Sequence, residues 1–166
     1  MRVSEDLIKE ELDILNRLSG MPVDLLALAV ASNIWRVSQV FKKELERDIL
    51  KTYNLTFSSF STLFIVWIWG PIEMSSIAES QMVARSTVTS TVNHLEKRGL
   101  VVRRAVGQDG DGRSILVEVT KEGRALIEEV FPHFNAGEKA FVEGLTEEEC
   151  QTLASLLRKL LRTKQT

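Results

Sequence analysis

Small hydroxyl and amide side chains recur between residues 85 and 99, at a spacing that would align them along a helix. When this segment is plotted at about 100° per residue, Ser86, Ser90 and Asn93 fall on one side. Such side chains donate and accept hydrogen bonds, and they are short enough to let a helix approach phosphates and base edges in a DNA groove. The alternative is an ordinary surface helix that contacts only water.

The opposite side of the same segment carries Val88, Val92 and Leu95, which is the pattern of a helix face packed on a core. Exposed helix faces are usually rich in Glu, Lys and Arg, whereas Ser, Thr and Asn each lower helix propensity by roughly a few tenths of a kcal/mol. The polar side chains are therefore unfavourable for the helix itself. We interpret the segment as a helix with one structural side and one binding side.

Charge is distributed unevenly along the 166 residues, although the formal net charge is only −2. Residues 1–74 hold 8 basic and 10 acidic side chains, residues 75–113 hold 6 and 4, and residues 114–166 hold 7 and 9, so the segments carry −2, +2 and −2. A positive middle between acidic ends is what a chain would show if one module contacts phosphates. The hydrophobic content of 44% is enough for a full core.

The sequence offers little for catalysis. His94 and His133 are the only histidines and Cys150 is the only cysteine, and there is no metal-ligand spacing, glycine-rich phosphate loop or nucleophile motif. We therefore expect no enzyme, no cofactor and no metal site, and we interpret Cys150 as a packing residue.

The most apolar run, residues 63–69, is far shorter than the ~20 residues that span a bilayer, and without an export signal the expected compartment is the cytoplasm.

A helix-turn-helix would position the binding side. Ser76 and Glu79 have the spacing of a capping box, which predicts a helix over residues 76–82. Only two or three residues separate this helix from the next one, which Gly99 closes. Two short helices joined by so tight a turn cross at a large angle, as in DNA-binding helix-turn-helix units.

A β-hairpin is predicted directly after this unit. Residues 100–106 and 114–120 read as strands, and the glycine-rich stretch between them, which ends at Arg113, reads as a flexible loop. A hairpin in this place makes the unit a winged one. Arg113, with Arg103 and Arg104 on the first strand, could neutralise phosphates or enter a minor groove; the alternative for the strand arginines is an ordinary solvated charge.

Long helices are predicted before the winged unit. Residues 3–19 form the first, and residues 23–51 form a second whose apolar positions recur at three- and four-residue steps. The second is long enough to pack against another element or a second subunit. Thr56 is a typical N-cap for a helix over residues 57–69, which is apolar nearly all round and should lie at the centre of the domain.

Two further helices are predicted after the wing. Thr120 caps the first, which Pro132 should kink, and the Thr146–Glu149 pair forms a capping box for the second. The last helix carries leucine on nearly every turn, which suggests a partner helix.

The predicted fold class is mainly α with a small β-hairpin wing, namely a winged helix-turn-helix flanked by long N- and C-terminal dimerisation helices. Residues 1–51 would supply N-terminal dimerisation helices and a pocket wall. Residues 52–121 would form the DNA-binding lobe, and residues 122–166 the C-terminal dimerisation helices.

The block from residue 75 to residue 127 resembles the MarR family of winged-helix transcriptional regulators. The motifs that carry the resemblance are LEKRGLV with Arg103 shortly after it, the wing sequence DGDGRS, and TKEG at residues 120–123. The similarity in layout extends to nearly the whole chain, because the family's long first helix and two closing helices are also predicted here.

The resemblance implies a homodimer that binds double-stranded DNA, with one recognition helix per subunit in successive major grooves of a pseudo-palindromic operator. The recognition-helix contacts carried over to this chain are Arg85, Ser86, Thr87, Thr89, Ser90 and Asn93. Ser75 and Ser76 would meet phosphate at a helix N-terminus, and Arg113 is the wing contact. Where the family's wing commonly has a further arginine, this chain has Gly110, which implies looser wing binding.

The resemblance also implies a repressor relieved by a ligand, since members of the family usually respond to a small aromatic or carboxylate effector. The positions expected to line its cavity are Trp35, Phe60, Ser61 and Phe64, although Trp35 could equally fill a helix crossing. The rival interpretation is a winged-helix protein-interaction module without its own operator. Such a module would be expected to expose Leu, Phe or Tyr at positions 86, 90 and 93.

Overall fold

The computed structural model describes residues 7–18, 20–106 and 114–163, which form helices and a small antiparallel sheet. The helices are α1 (Lys9–Arg17), α2 (Leu25–Asp48), α3 (Phe57–Trp69), α4 (Met74–Gln81), α5 (Arg85–Lys97), α6 (Lys121–Phe141) and α7 (Glu147–Arg162). The strands are β1 (Ile72–Glu73), β2 (Val101–Val106) and β3 (Ser114–Val119). The expected fold class, mainly α with a winged helix-turn-helix, is confirmed.

The chain divides into two compact units at Lys43, inside α2. In the first unit, the Glu11 carboxylate accepts hydrogen bonds from the Ile8 backbone N–H at 3.2 Å and from the Asn33 carboxamide at 3.0 Å. Glu11 thus caps α1 and joins it to α2.

The helix predicted over residues 23–51 ends earlier, at Asp48, and is followed by a 3₁₀ turn over Leu50–Tyr53. The turn places Leu50 in the core with no exposed surface, and it closes at Asn54, whose φ of 58° is left-handed. Asn adopts this conformation more readily than most residues. Burial of Leu50 therefore ends the helix where periodicity alone would continue it.

Helix α3 lies at the centre of the second unit, as predicted. Thr56 accepts a hydrogen bond from the Ser59 backbone N–H at 3.1 Å and so forms the expected N-cap. Gly70 closes the helix before Pro71. The buried side chains of the helix lie on several of its sides and are Ser59, Phe60, Thr62, Leu63, Ile65 and Val66.

The sheet has the strand order β1-β3-β2, with both pairings antiparallel. The hairpin pairs Val101 with Val119, and β1 adds Ile72 opposite Val117. The two-residue β1 therefore connects the segment between α3 and α4 to strand β3 of the wing by antiparallel pairing.

The capping box predicted at Ser76 and Glu79 is wrong. Helix α4 begins two residues earlier, at Met74, with Glu73 as its N-cap residue. Since Glu73 is still paired with β3, the chain passes directly from strand to helix and Ser76 lies in the first turn. The local sequence pattern was overridden by strand pairing.

The two closing helices begin as predicted. Thr120 accepts the Gly123 N–H at 3.0 Å, and α6 then continues through Pro132 to Phe141; the kink at Pro132 stays a prediction. The predicted capping box of α7 is present. The Glu149 carboxylate accepts hydrogen bonds from the Thr146 backbone N–H and from the Thr146 hydroxyl, and these bonds, the backbone one most, lower the pKa of Glu149. This contribution to the stability of α7 is present above the ordinary glutamate pKa and is lost as the pH falls through the lowered value.

None of the described helices is long and apolar enough to cross a membrane.

Gly123 allows α6 to approach the end of the helix-turn-helix closely. A Cβ at this position would lie 2.0 Å from the Leu100 carbonyl oxygen and 2.9 Å from Val119 Cγ2. We expect Gly123→Ala to lower the free energy of unfolding by about 1–3 kcal/mol, because backbone must shift to admit the methyl group. Gly144→Ala is the matched control in urea unfolding, since a Cβ there meets nothing within 4 Å. Equal stability of the two variants would contradict this interpretation.

Candidate nucleic-acid interface

Helix α5 has two chemically distinct faces. Val88, Val92 and Leu95 are completely buried and hold the helix on the core. The remaining face is exposed and carries the predicted recognition-helix side chains Arg85, Ser86, Thr87, Thr89, Ser90 and Asn93. The structure therefore presents these six side chains together on one helix.

The end of α5 is formed by a tight turn at Gly99. Its φ of +70° is left-handed, a conformation that Gly adopts without strain. The Gly99 N–H donates to the Glu96 carbonyl at 2.9 Å, and the Leu100 N–H donates to the Leu95 carbonyl at 3.0 Å. The turn directs the chain from α5 straight into β2.

Two polar contacts fix the helix-turn-helix against α3. The Gln81 side chain at the end of α4 donates to the fully buried Thr62 hydroxyl at 2.9 Å. The Ser58 and Thr91 hydroxyls lie 3.3 Å apart and connect α3 to α5. The first contact holds α4 on α3, and the second holds α5 on α3.

The hydroxyl groups of α5 are not equivalent. The Thr89 hydroxyl donates to the Arg85 carbonyl at 2.9 Å, and the Thr91 hydroxyl donates to the Thr87 carbonyl at 2.9 Å. Within the described part of the chain, the hydroxyls of Ser86, Thr87 and Ser90 make no hydrogen bond. These three groups have both donor and acceptor capacity available for a ligand.

Arg98 braces the end of α5 against the turn that precedes α3. Its guanidinium donates to the Asn54 carbonyl at 2.6 Å and to the Tyr53 carbonyl at 3.1 Å. This role of Arg98 cannot be predicted from the sequence, because Arg98 and Asn54 are 44 residues apart. The local sequence indicates this role only through the position of Arg98, immediately before Gly99.

The strand arginines form ion pairs with neighbouring carboxylates. Arg103 pairs with Glu96, and its guanidinium also donates to the Asn93 side-chain oxygen at 2.6 Å. Arg104 pairs with Glu118 on β3. Both charges are thus partly compensated within the domain, which favours a structural role over direct neutralisation of phosphates. The contact between Arg103 and Asn93 was not predicted.

The other predicted DNA contacts lie on α4 and on the wing. Ser75 and Ser76 are partly buried in the first turn of α4, and the Ser75 hydroxyl donates to the Glu73 carboxylate at 3.1 Å. Arg113 and Gly110 lie outside the described residues. Their roles stay predictions.

The predicted effector positions are divided between the two units. In the first unit Trp35 is exposed. In the second, Phe60 is buried with its ring centroid 4.1 Å from that of Phe134, while Ser61 and the Phe64 ring are half-buried. Phe60 therefore helps to pack α3 on α6, and the effector cavity stays a prediction.

No group of three or more His, Cys, Asp or Glu side chains suited to a metal ion occurs among the residues that the structure describes. Cys150 is half-buried at the start of α7 and has a free thiol. What the interface offers is hydrogen-bonding groups on an exposed helix and neighbouring cations.

Comparison with known proteins identifies the family. The MarR family model matches residues 55–115, which include α3, α4, α5, β2 and the first two residues of β3. The chain is 36% identical over 159 residues to YwaE, an HTH-type transcriptional regulator of Bacillus subtilis, covering 94% of this chain and 92% of the relative. The chain belongs to the MarR family. As a MarR-family protein it is a DNA-binding transcriptional regulator of the helix-turn-helix type.

Two further proteins are similar to this MarR-family chain. PecS, an HTH-type transcriptional regulator of Dickeya dadantii, is 30% identical over 138 residues, covering 81% of each protein. The structure of BpsR from Bordetella bronchiseptica is 25% identical and superposes with a TM-score of 0.72, covering 80% of this chain and 98% of BpsR. That structure concerns the regulation of BpsR DNA binding by 6-hydroxynicotinic acid.

Proposed function

We propose that this regulator binds a pseudo-palindromic operator as a homodimer and represses transcription until a small aromatic or carboxylate effector releases it. The observation that carries the proposal is the exposed polar face of α5 opposite its fully buried apolar face. Only the buried face is needed to hold the helix in the fold. The exposed face is therefore available to bind DNA.

The spacing of the exposed polar groups matches a DNA groove. Ser86 and Asn93 are seven positions apart and thus about 10 Å apart along the helix axis. Base pairs stack about 3.4 Å apart, so this stretch of helix spans about three steps of the duplex. Hydroxyl and carboxamide groups can bond to phosphates or base edges over that distance.

The homodimer is supported by an exposed row of leucines on α7. In the described structure no side chain of this helix is buried. The exposed leucines are Leu153, Leu156, Leu157, Leu160 and Leu161. An apolar row of this length is unfavourable in water, and a second copy of the chain would cover it. Two-fold symmetry would place the two α5 helices on the two halves of a pseudo-palindrome.

The effector is proposed from the family and from BpsR, whose DNA binding is regulated by an aromatic carboxylate. The candidate positions for effector contacts on α3 are Phe60, Ser61 and Phe64. Aromatic side chains offer flat apolar surfaces, and the Ser61 hydroxyl can orient a polar group of the ligand.

The rival proposal, a protein-interaction module, has less support. Such surfaces usually centre on large apolar or aromatic side chains. Positions 86, 90 and 93 are instead exposed Ser, Ser and Asn. No observation on α5 favours a protein partner.

Fluorescence anisotropy with DNA from upstream of the protein's own coding sequence tests the proposal. We expect Ser86→Ala and Ser90→Ala each to weaken binding about tenfold, because each removes a hydrogen bond to DNA. Ser155→Ala, on the side of α7 away from the leucines, is the matched control and should bind like the wild type. For the wild type, the logarithm of the binding constant should fall linearly with the logarithm of the salt concentration. Aromatic acids should weaken the binding of DNA. Salt-independent binding, or none, would refute the proposal.

A further inference from the structure

A side-chain network joins β2 to the exposed face of α5. The Arg103 guanidinium pairs with the Glu96 carboxylate through Nη1 and donates through Nη2 to Asn93 Oδ1 at 2.6 Å. The Arg103 backbone N–H also donates to the second Glu96 oxygen at 3.2 Å. Glu96 therefore holds both the backbone and the side chain of Arg103 in place.

This network fixes the direction of the Asn93 carboxamide. A guanidinium has only donors, so it favours the orientation in which the Asn93 oxygen faces it. The reversed orientation would bring the Asn93 NH₂ group against another donor. With the oxygen directed at Arg103, the NH₂ group is the part of Asn93 that is free to meet a ligand.

Arg103 itself is poorly placed to contact DNA. Its side chain is only 22% exposed, and its charge is opposed by Glu96. Its neighbour Arg104 is 66% exposed and pairs with Glu118 on β3, and in the described part of the chain it makes no hydrogen bond or ion pair with α5. Two adjacent arginines thus have different surroundings, and only Arg103 is bonded to a recognition-helix side chain.

We infer that Arg103 is a positioning residue that makes Asn93 a hydrogen-bond donor towards DNA. At one position of each half-site, Asn93 then favours a base with major-groove acceptors, guanine above all, through N7 and O6. Bidentate pairing of asparagine with adenine uses the carboxamide oxygen, which Arg103 occupies here. The inference rests on the proposed binding of DNA by α5 and adds a specificity to it.

The test measures affinity for an operator fragment, selected with the wild-type protein, in which each base pair of the half-site is changed in turn to the other three. The variants are Asn93→Ala, Arg103→Ala, their combination, and Arg103→Lys, which retains a donor for Asn93. Arg104→Ala is the matched control, because it removes the same charge from the adjacent position of β2.

We expect wild-type protein to prefer guanine at one position by about tenfold, and Arg103→Ala to lose most of that preference there alone. Arg103→Lys should retain much of the preference for guanine. The double variant should distinguish the four bases as well as Asn93→Ala does, because the two changes remove one function. A uniform loss at all positions, matching Arg104→Ala, would overturn the inference. Additive losses from Asn93→Ala and Arg103→Ala would also overturn it.

The free protein provides a measurement that does not depend on DNA. In ¹⁵N relaxation experiments the Asn93 side-chain NH₂ should be rigid in the wild type and mobile in Arg103→Ala, with Arg104→Ala like the wild type. A mobile Asn93 NH₂ in the wild type would refute the positioning role even if DNA binds. A rigid NH₂ in a protein that binds no DNA would refute the proposed function and leave no recognition role for the network.

Discussion

Replacing Leu156 and Leu160 with glutamate will convert the protein to a monomer and reduce operator affinity at least a hundredfold. The two side chains are 55% and 44% exposed in the single chain, and they lie one helical turn apart on α7. Burying a leucine contributes about 1.5–3 kcal/mol, and in a two-fold dimer each substitution acts twice. The variant also places four carboxylates in one apolar interface, where each charge must be desolvated.

Sedimentation at micromolar concentration, followed by the anisotropy measurement, tests this expectation. The matched control is the double variant Gln151→Glu and Ser155→Glu, which adds the same two charges one turn apart on the other side of α7. We expect the control to remain dimeric. A dimeric Leu156→Glu and Leu160→Glu variant would place the subunit contact elsewhere, and a monomeric wild type would remove the proposed homodimer.

Replacing Leu95 with alanine should lower the free energy of unfolding by about 2–5 kcal/mol. Leu95 has no exposed surface and lies on the core side of α5 with Val88 and Val92. Truncation removes buried apolar surface and leaves a cavity beneath α5. The measurement is urea unfolding followed by circular dichroism.

The comparison variant for Leu95→Ala is Ser90→Ala on the exposed side of the same helix. Its stability should stay within about 0.5 kcal/mol of the wild type, while its DNA affinity falls. The two faces of α5 would then be separated by experiment, one supporting stability and the other binding. A large stability loss in Ser90→Ala would show that the exposed serine supports the fold.

The sequence predicts those features whose causes are local. Thr56, Thr120 and Thr146 were identified as N-caps because a capping hydroxyl and its partner N–H are three residues apart. The buried face of α5 followed from the 3.6-residue period of Val88, Val92 and Leu95.

Features that depend on distant parts of the chain were missed or misplaced. The start of α4 was misplaced because Glu73 pairs with Leu116 on β3, a contact that a local capping pattern does not contain. The end of α2 was misplaced because burial of Leu50 competes with helix periodicity. The contact of Arg103 with Asn93 depends on how the strand leaves the Gly99 turn, so side-chain type alone could not reveal it.

The separation of the two faces of α5 affects how such a regulator can diverge after gene duplication. On the proposed function, we expect substitutions at the exposed Ser86 or Ser90 to alter the favoured DNA sequence while leaving folding nearly unchanged, so that target preference drifts at these positions. Asn93 is more constrained, since its partner Arg103 is itself held by Glu96. New target preferences should therefore arise first at the two serines, and changes at position 93 should arise together with changes at position 103.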